Sequence, residues 1–165
     1  FPTRRSSDLP GDSIKQEYKE DILVGYRWHD TKKIPALFPF GHGLSYTTFT
    51  YGKPMASAKA MAADGMLTVT VAVKNTGSIA GKEIVQLYVG DDKCSVLRPV
   101  KELKHFAKVA LAPGEEKSVT FTLTPDDLKF YDEASAAWKY EPGKFKAYVC
   151  ASSADVRGVV SFEMQ

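Results

Sequence analysis

Cysteine is scarce in this chain of 165 residues, where Cys94 and Cys150 are the only two. Two thiols are too few for the disulfide framework of a small secreted scaffold, and alone they cannot complete a tetrahedral zinc site. Histidine is sparse as well. His29, His42 and His105 stand apart from each other and from both thiols, without the short spacing that metal sites use, so no metal and no cofactor is expected. Long apolar runs are missing too. Stretches such as Ile22 to Val24 fall far below the roughly 20 residues that cross a bilayer, and a membrane is not an expected partner. No block of one charge occurs. The 22 Lys plus Arg alternate with 20 Asp plus Glu for a net charge of +2, which gives a phosphate backbone nothing continuous to bind and argues against nucleic acid. The first residues lack a signal-peptide apolar region and an initiating Met, so the chain reads as a piece of something longer.

What is present is an ordinary globular composition, 44% apolar and 25% charged, sufficient for one domain with a short appendage. Residues 1–12 show no periodicity and end in the Pro10-Gly11 turn signal, which marks a leader that is disordered or foreign to the fold. From Ser13 the character changes. Ile22 to Trp28 is rich in β-branched and aromatic residues and predicts a single strand, apolar on both faces as in a sheet covered by helices. No helices follow, so its sheet is expected upstream, and residues 13–37 read as the tail of a truncated domain. Residues 38–49 hold a proline, two glycines and a concentration of aromatics, which predicts an extended connector.

Beyond the connector, period-2 alternation dominates. Leu67, Val69, Val71 and Val73 alternate with Thr68, Thr70, Ala72 and Lys74; comparable runs are Val85 to Val89, Val119 to Leu123 and Phe145 to Ala151. Weaker strands are expected at Thr48 to Ala56, Leu103 to Leu111, Trp138 to Tyr140 and Val159 to Glu163. Leu103, Ala107, Val109 and Leu111 would share a face that excludes Phe106, which predicts a bulge or a second contact surface in that strand. Pro113-Gly114 suits a type II turn, and Thr124-Pro125 a single capped helical turn ending at Leu128. Seven or so short strands with regular turn signals predict an all-β fold over residues 50–165, an antiparallel sandwich of the immunoglobulin or fibronectin type III kind. Antiparallel pairing of the strands at Val85 to Val89 and Phe145 to Val149 would put Cys94 and Cys150 toward opposite ends of one sheet, too far apart for a disulfide.

A family resemblance is carried by Tyr18, Glu20, Val24, Gly25, Tyr26, Arg27 and Asp30, then by the run Phe38 to Thr47 and Phe49. It continues through Val73, Asn75, Thr76, Gly77, Gly81, Glu83 and Val85 to Tyr88, then Arg98, Pro99, Lys101, Leu103, Phe106, Leu111, Gly114 and Glu115, and ends on Trp138, Pro142, Gly143, Val149, Ser152 and Ser153. Together they resemble the junction between the α/β sandwich domain and the C-terminal fibronectin type III-like domain of bacterial family 3 glycoside hydrolases, the β-glucosidase and β-xylosidase family. The resemblance implies carbohydrate metabolism, β-linked glucosides or xylosides as substrates of the whole enzyme, and a periplasmic or extracellular location. It also implies that both catalytic carboxylates belong to upstream domains of the same polypeptide.

The residues agree with that last implication. Glycoside hydrolysis needs two carboxyl groups opposed across a glycosidic bond. Glu115-Glu116, Asp126-Asp127 and Asp132-Glu133 are instead adjacent pairs in turn-like sequence and read as solvated turn residues. Ser45 lacks the glycines of a nucleophile elbow, and Gly41-His42-Gly43 lacks the third glycine of a dinucleotide fingerprint. No catalytic and no cofactor-binding residue is therefore assigned. Tyr26, Arg27, Phe38, Phe40, Tyr46 and Phe49 are the candidates for an interface with the upstream domains, with stacking on an oligosaccharide as the other use of exposed aromatics. The competing function is an independent carbohydrate- or protein-binding sandwich, which the fold alone permits.

Overall fold

The computed structural model describes residues 20–165; the leader at residues 1–12, and Tyr18 of the resemblance, lie outside them. Eleven strands follow one short helix: α1 (Tyr26–Lys32), β1 (Phe49–Tyr51), β2 (Met55–Ala56), β3 (Ala60–Met61), β4 (Leu67–Asn75), β5 (Gly81–Asp91), β6 (Glu102–Leu111), β7 (Glu116–Leu123), β8 (Phe130–Asp132), β9 (Ala137–Lys139), β10 (Gly143–Cys150) and β11 (Val156–Met164). In one sheet β4 pairs with β1, β2 and β7; the other has the order β3-β11-β10-β5-β6, antiparallel except for β3 against β11. β8 and β9 form a separate hairpin. This is the expected β-sandwich.

The alternation explains the layers. Leu67, Val69, Val71 and Val73 of β4 are buried against Val85, Leu87 and Val89 of β5 and Phe145, Ala147 and Val149 of β10, one continuous core between the sheets. The opposite face of β4 and β7 carries hydroxyls in cross-strand register. Thr68 stands opposite Thr122 and Thr70 opposite Thr120, whose Oγ1 atoms are 2.9 Å apart. Threonine suits a pleated surface with one wet side. At Pro113-Gly114 the expected turn forms: Gly114 has φ 75°, and Glu115 N–H donates to Ala112 O at 3.0 Å. The turn of 3₁₀ helix at Pro125–Leu128 is capped reciprocally by Thr124 and Asp127.

Two details depart from the sequence reading. The bulge in β6 falls at Lys104, because Leu87 pairs with His105 and Tyr88 with Leu103. Leu103 is thereby shifted to the outer face beside Tyr88 instead of sharing the core side with Ala107 and Val109. The larger correction concerns Ile22 to Trp28, which forms no strand. Leu23 N–H closes a turn onto Glu20 O, Gly25 takes φ 64°, and α1 begins at Tyr26. Helical spacing then sets Tyr26 and Asp30, four residues apart, on one face that lies against the five-stranded sheet. That face is aromatic and ionic rather than aliphatic, so no apolar helical period announced it.

The thiols sit as the pairing scheme requires. Cys150 faces Gln86 across β10 and β5, whereas Cys94 follows Asp91, which faces Phe145 at the other end; both are free. Burial pushes the Cys150 thiol up to about 12 and removes it from solvent. A disulfide reagent added to native protein at pH 8 is expected to titrate Cys94 quickly and Cys150 only on unfolding. Two equally fast thiols would contradict the burial of β10.

Candidate functional site: the connector face

The outer face of the five-stranded sheet is not bare. Tyr88 of β5 points outward yet is fully buried, because Tyr26 stands edge-on to it with ring centroids 5.6 Å apart, and Phe40 stacks on Tyr26 at 5.2 Å. The Tyr26 hydroxyl accepts from Leu103 N–H at 2.8 Å, and Thr31 Oγ1 accepts from Val100 N–H at 3.1 Å. Beside them Asp30 pairs with Lys101 Nζ, both side chains almost wholly covered, and the ammonium also lies 5.4 Å from the centre of the Tyr88 ring. Arg27 reaches Glu102 at 4.0 Å and the Ile22 carbonyl at 3.4 Å. α1 is thus fixed to the sandwich through four of its side chains, Tyr26, Arg27, Asp30 and Thr31.

The connector continues the attachment. Ser153 N–H donates to Phe40 O at 2.8 Å. Gly41, at φ 80°, crosses directly over the Gln86 side chain, where a Cβ would collide with the amide. That amide is immobilised from both sides: Nε2 donates to Ala151 O at 3.0 Å and Oε1 accepts from the Tyr88 hydroxyl at 2.5 Å. At the far end Thr47 Oγ1 donates to Asn75 Oδ1 at 2.6 Å. Asn75 has no exposed surface, and its Nδ2 donates in turn to Ile79 O at 2.8 Å and Leu111 O at 3.1 Å.

Between these anchors the chain turns its apolar groups outward. Phe38 is 74% exposed, Leu44 95% and Tyr46 98%. Among the described residues, eight of the twenty exposed large apolar side chains fall within residues 22–46, and Val96, Leu97 and Val100 join them from the β5–β6 loop that α1 touches. Among the described residues, the strands of the hydroxyl-lined face of the other sheet offer only Met55. An apolar concentration of this kind on one side of a molecule marks an interaction surface. Of the six candidates from the sequence, Phe38 and Tyr46 stand free and Phe40 is half exposed, while Tyr26 and Arg27 bind α1 to the sandwich. Phe49 turns inward onto the core.

The acidic pairs are occupied within their own turns. Glu115 accepts from Ala112 N–H and Lys117, which hold its carboxyl below the usual range; Lys139 and Ser135 hold Asp132 down to about 2. Asp127 caps Thr124, and Asp126 pairs with Lys129. One grouping escaped the sequence reading, in which Asp91, Cys94 and Glu141 bring a thiol and two carboxylates within 4.8 Å of one another. Arg98 already supplies a cation to Asp91 at 3.5 Å, and Ser95 donates to Glu141 through N–H and hydroxyl. Asp91 and Cys94 come from the end of β5 and the loop after it and Glu141 from between β9 and β10, so no sequence spacing unites them.

Comparison with known proteins gives consistent matches. Residues 83–153 match the family of the fibronectin type III-like domain. β-Glucosidase BoGH3A of Bacteroides ovatus is 66% identical over 154 residues, covering 93% of this chain and 21% of that protein. Thermostable β-glucosidase B of Acetivibrio thermocellus is 49% identical over 161 residues, covering 94% and 21%. Among solved structures, a GH3 β-glucosidase of Bifidobacterium adolescentis superposes with a TM-score of 0.86 at 34% identity, over 96% of this chain and 23% of that one. The chain spans about a fifth of the length of these relatives.

Proposed function

We propose, from the premise that this chain is a fibronectin type III-like portion of a family 3 β-glucosidase, that it is a non-catalytic C-terminal module. Its connector face docks on the catalytic part of the same polypeptide and stabilises it. The whole enzyme then acts on β-linked glucosides or xylosides, with both catalytic carboxylates supplied from outside this chain. The carrying observation is the exposure of Phe38, Leu44 and Tyr46 on a backbone held at both ends by buried hydrogen bonds and stacked rings. A rigid presentation of apolar side chains lowers the ordering cost of association. The anchoring of α1 on the sandwich supports counting Tyr26 to Lys32 with the module.

The test is titration of this chain into BoGH3A from which the matching fifth has been removed. One-to-one binding and a raised melting temperature of the truncated enzyme are expected. Substituting Leu44→Ser together with Tyr46→Ser should weaken binding by at least about tenfold, the loss of two buried anchors. The chain alone should leave aryl β-glucosides intact. Absence of binding, or turnover that an acid substitution in this chain abolishes, overturns the reading.

A further inference from the structure

A second feature borders the connector and shares Leu44 with the docking face. The start of β5, the middle of β6 and the connector enclose a cleft of about 650 Å³, a volume within the range of small-ligand sites. Its floor is set by register: Ile84 faces Lys108 and Gln86 faces Phe106, so Lys82, Ile84, Phe106 and Lys108 share the outer face of the sheet. Ile84 lines the cleft, and Phe106, 70% exposed, stands outside it on the same outer face, diagonal to Ile84 across the ladder and two residues from Lys108, where its free ring extends the apolar strip. Lys82 and Lys108 flank the strip, and neither has an acidic partner among the described residues. By contrast, Lys104 and Lys146 are paired with Glu102 and Asp92. On the inner wall Glu83 accepts from Ile84 N–H beside the Tyr51 hydroxyl, and Arg157 engages Asp155 through one nitrogen.

We propose that this cleft binds a saccharide unit carrying a carboxylate, a uronic acid within a β-linked oligosaccharide. An apolar strip with an exposed ring suits the C–H face of a pyranose. Side chains with unused donors and acceptors suit its hydroxyls, and two uncompensated ammonium groups suit one anionic substituent. An acidic peptide would use the lysines alike but would leave the Ile84–Phe106 strip without a matching flat face. The ligand class rests on the glycosidase reading, and of the docking side chains the cleft shares Leu44 but not Phe38 or Tyr46.

The experiment is an amide chemical-shift titration of this chain with cellobiouronic acid, with cellobiose and with a tetraglutamate peptide. Saturable shifts centred on Lys82, Ile84, Phe106 and Lys108 are expected with the uronic disaccharide, and binding about fivefold weaker with cellobiose, the worth of two exposed charge contacts. Lys82→Gln with Lys108→Gln should erase that difference while the spectrum stays folded. Phe106→Ser should weaken both sugars. Equal affinity for the two sugars, tighter binding of the peptide, or no saturable shifts would each overturn the proposal. A chain that docks on truncated BoGH3A yet shows no sugar shifts loses this inference alone, and one that binds the uronic disaccharide without docking loses only the other.

Discussion

Replacing Asn75 by leucine is expected to cost on the order of 3 to 5 kcal/mol of stability, the largest effect of any single polar substitution proposed for this chain. The side chain is wholly buried and uses all its capacity. Oδ1 accepts from the Thr47 hydroxyl and from Gly77 N–H at 3.0 Å, and Nδ2 donates to the carbonyls of Ile79 and Leu111. Leucine matches the volume but orphans four polar groups, and each buried group left unpaired costs about 1 to 3 kcal/mol. Partial access of water at the connector side reduces the sum. Thermal unfolding followed by circular dichroism should show a melting point lower by about 10 °C. Thr47→Val should cost only about 1 kcal/mol, since it removes one bond and leaves Asn75 otherwise satisfied. A loss below about 1 kcal/mol for Asn75→Leu would show that the connector is not anchored through this residue.

The consequences of that substitution should spread unevenly. Asn75 joins three elements: the end of β4, the turn leading to β5 and the end of the connector, whose Phe49 is its ladder partner. Loss of the network releases Thr47 and with it the exposed Leu44 and Tyr46. The substitution should therefore weaken docking as well as folding, and amide exchange at Thr47 should accelerate before that of Val71 or Leu87 in the core. A purely structural asparagine, remote from function, would move all three together.

Much of the sandwich is legible in the sequence because its strands obey one rule. Where a residue alternates between core and water, as in Leu67 to Val73 or Phe145 to Val149, side-chain type follows period 2 and the strand can be read directly. The Pro113-Gly114 turn and the Thr124 cap are equally local, since φ preference and hydroxyl reach act within four residues. α1 fails this test. Its contacts to Tyr88, Lys101 and Leu103 come from residues more than sixty positions away, and they are aromatic and ionic, so no periodic apolar stripe records them. Only Gly25, with its positive φ, hinted that Ile22 to Trp28 could not continue as a strand. The exposed connector was legible as aromatic, but not which rings face outward. Phe49 and Phe40 differ in fate because one begins a strand over the core and the other lies on top of the sheet.

Alkaline pH should unfold this protein more steeply than the ordinary titration of surface groups allows. Burial raises the Cys150 thiol to about 12 and lifts the hydroxyls of Tyr88 and Tyr51 above their usual range. For Tyr51 the neighbouring Glu83 adds to the effect. In the unfolded chain these groups lose protons near about 8.5 for the thiol and about 10 for the phenols. Above pH 9 the unfolded state therefore binds fewer protons than the native state, and stability falls as pH rises. Each such group contributes a slope of about 1.4 kcal/mol per pH unit, so the fall steepens from one group near pH 9 to three beyond pH 10, until Cys150 itself titrates near 12. Below pH 8 the three contribute no slope. Urea midpoints at pH 8, 9, 10 and 11 should decline with increasing steepness, and the tyrosinate absorbance of two tyrosines should appear only with unfolding. Tyr88→Phe serves as the control. It loses the bond to Gln86 and is weaker by about 1 kcal/mol at pH 8, yet its stability should fall less steeply above pH 10 because one buried phenol is gone. Midpoints that stay flat from pH 9 to 11, or a Tyr88→Phe slope equal to that of the parent, would mean that these hydroxyls reach water in the folded protein and that α1 does not seal the sheet.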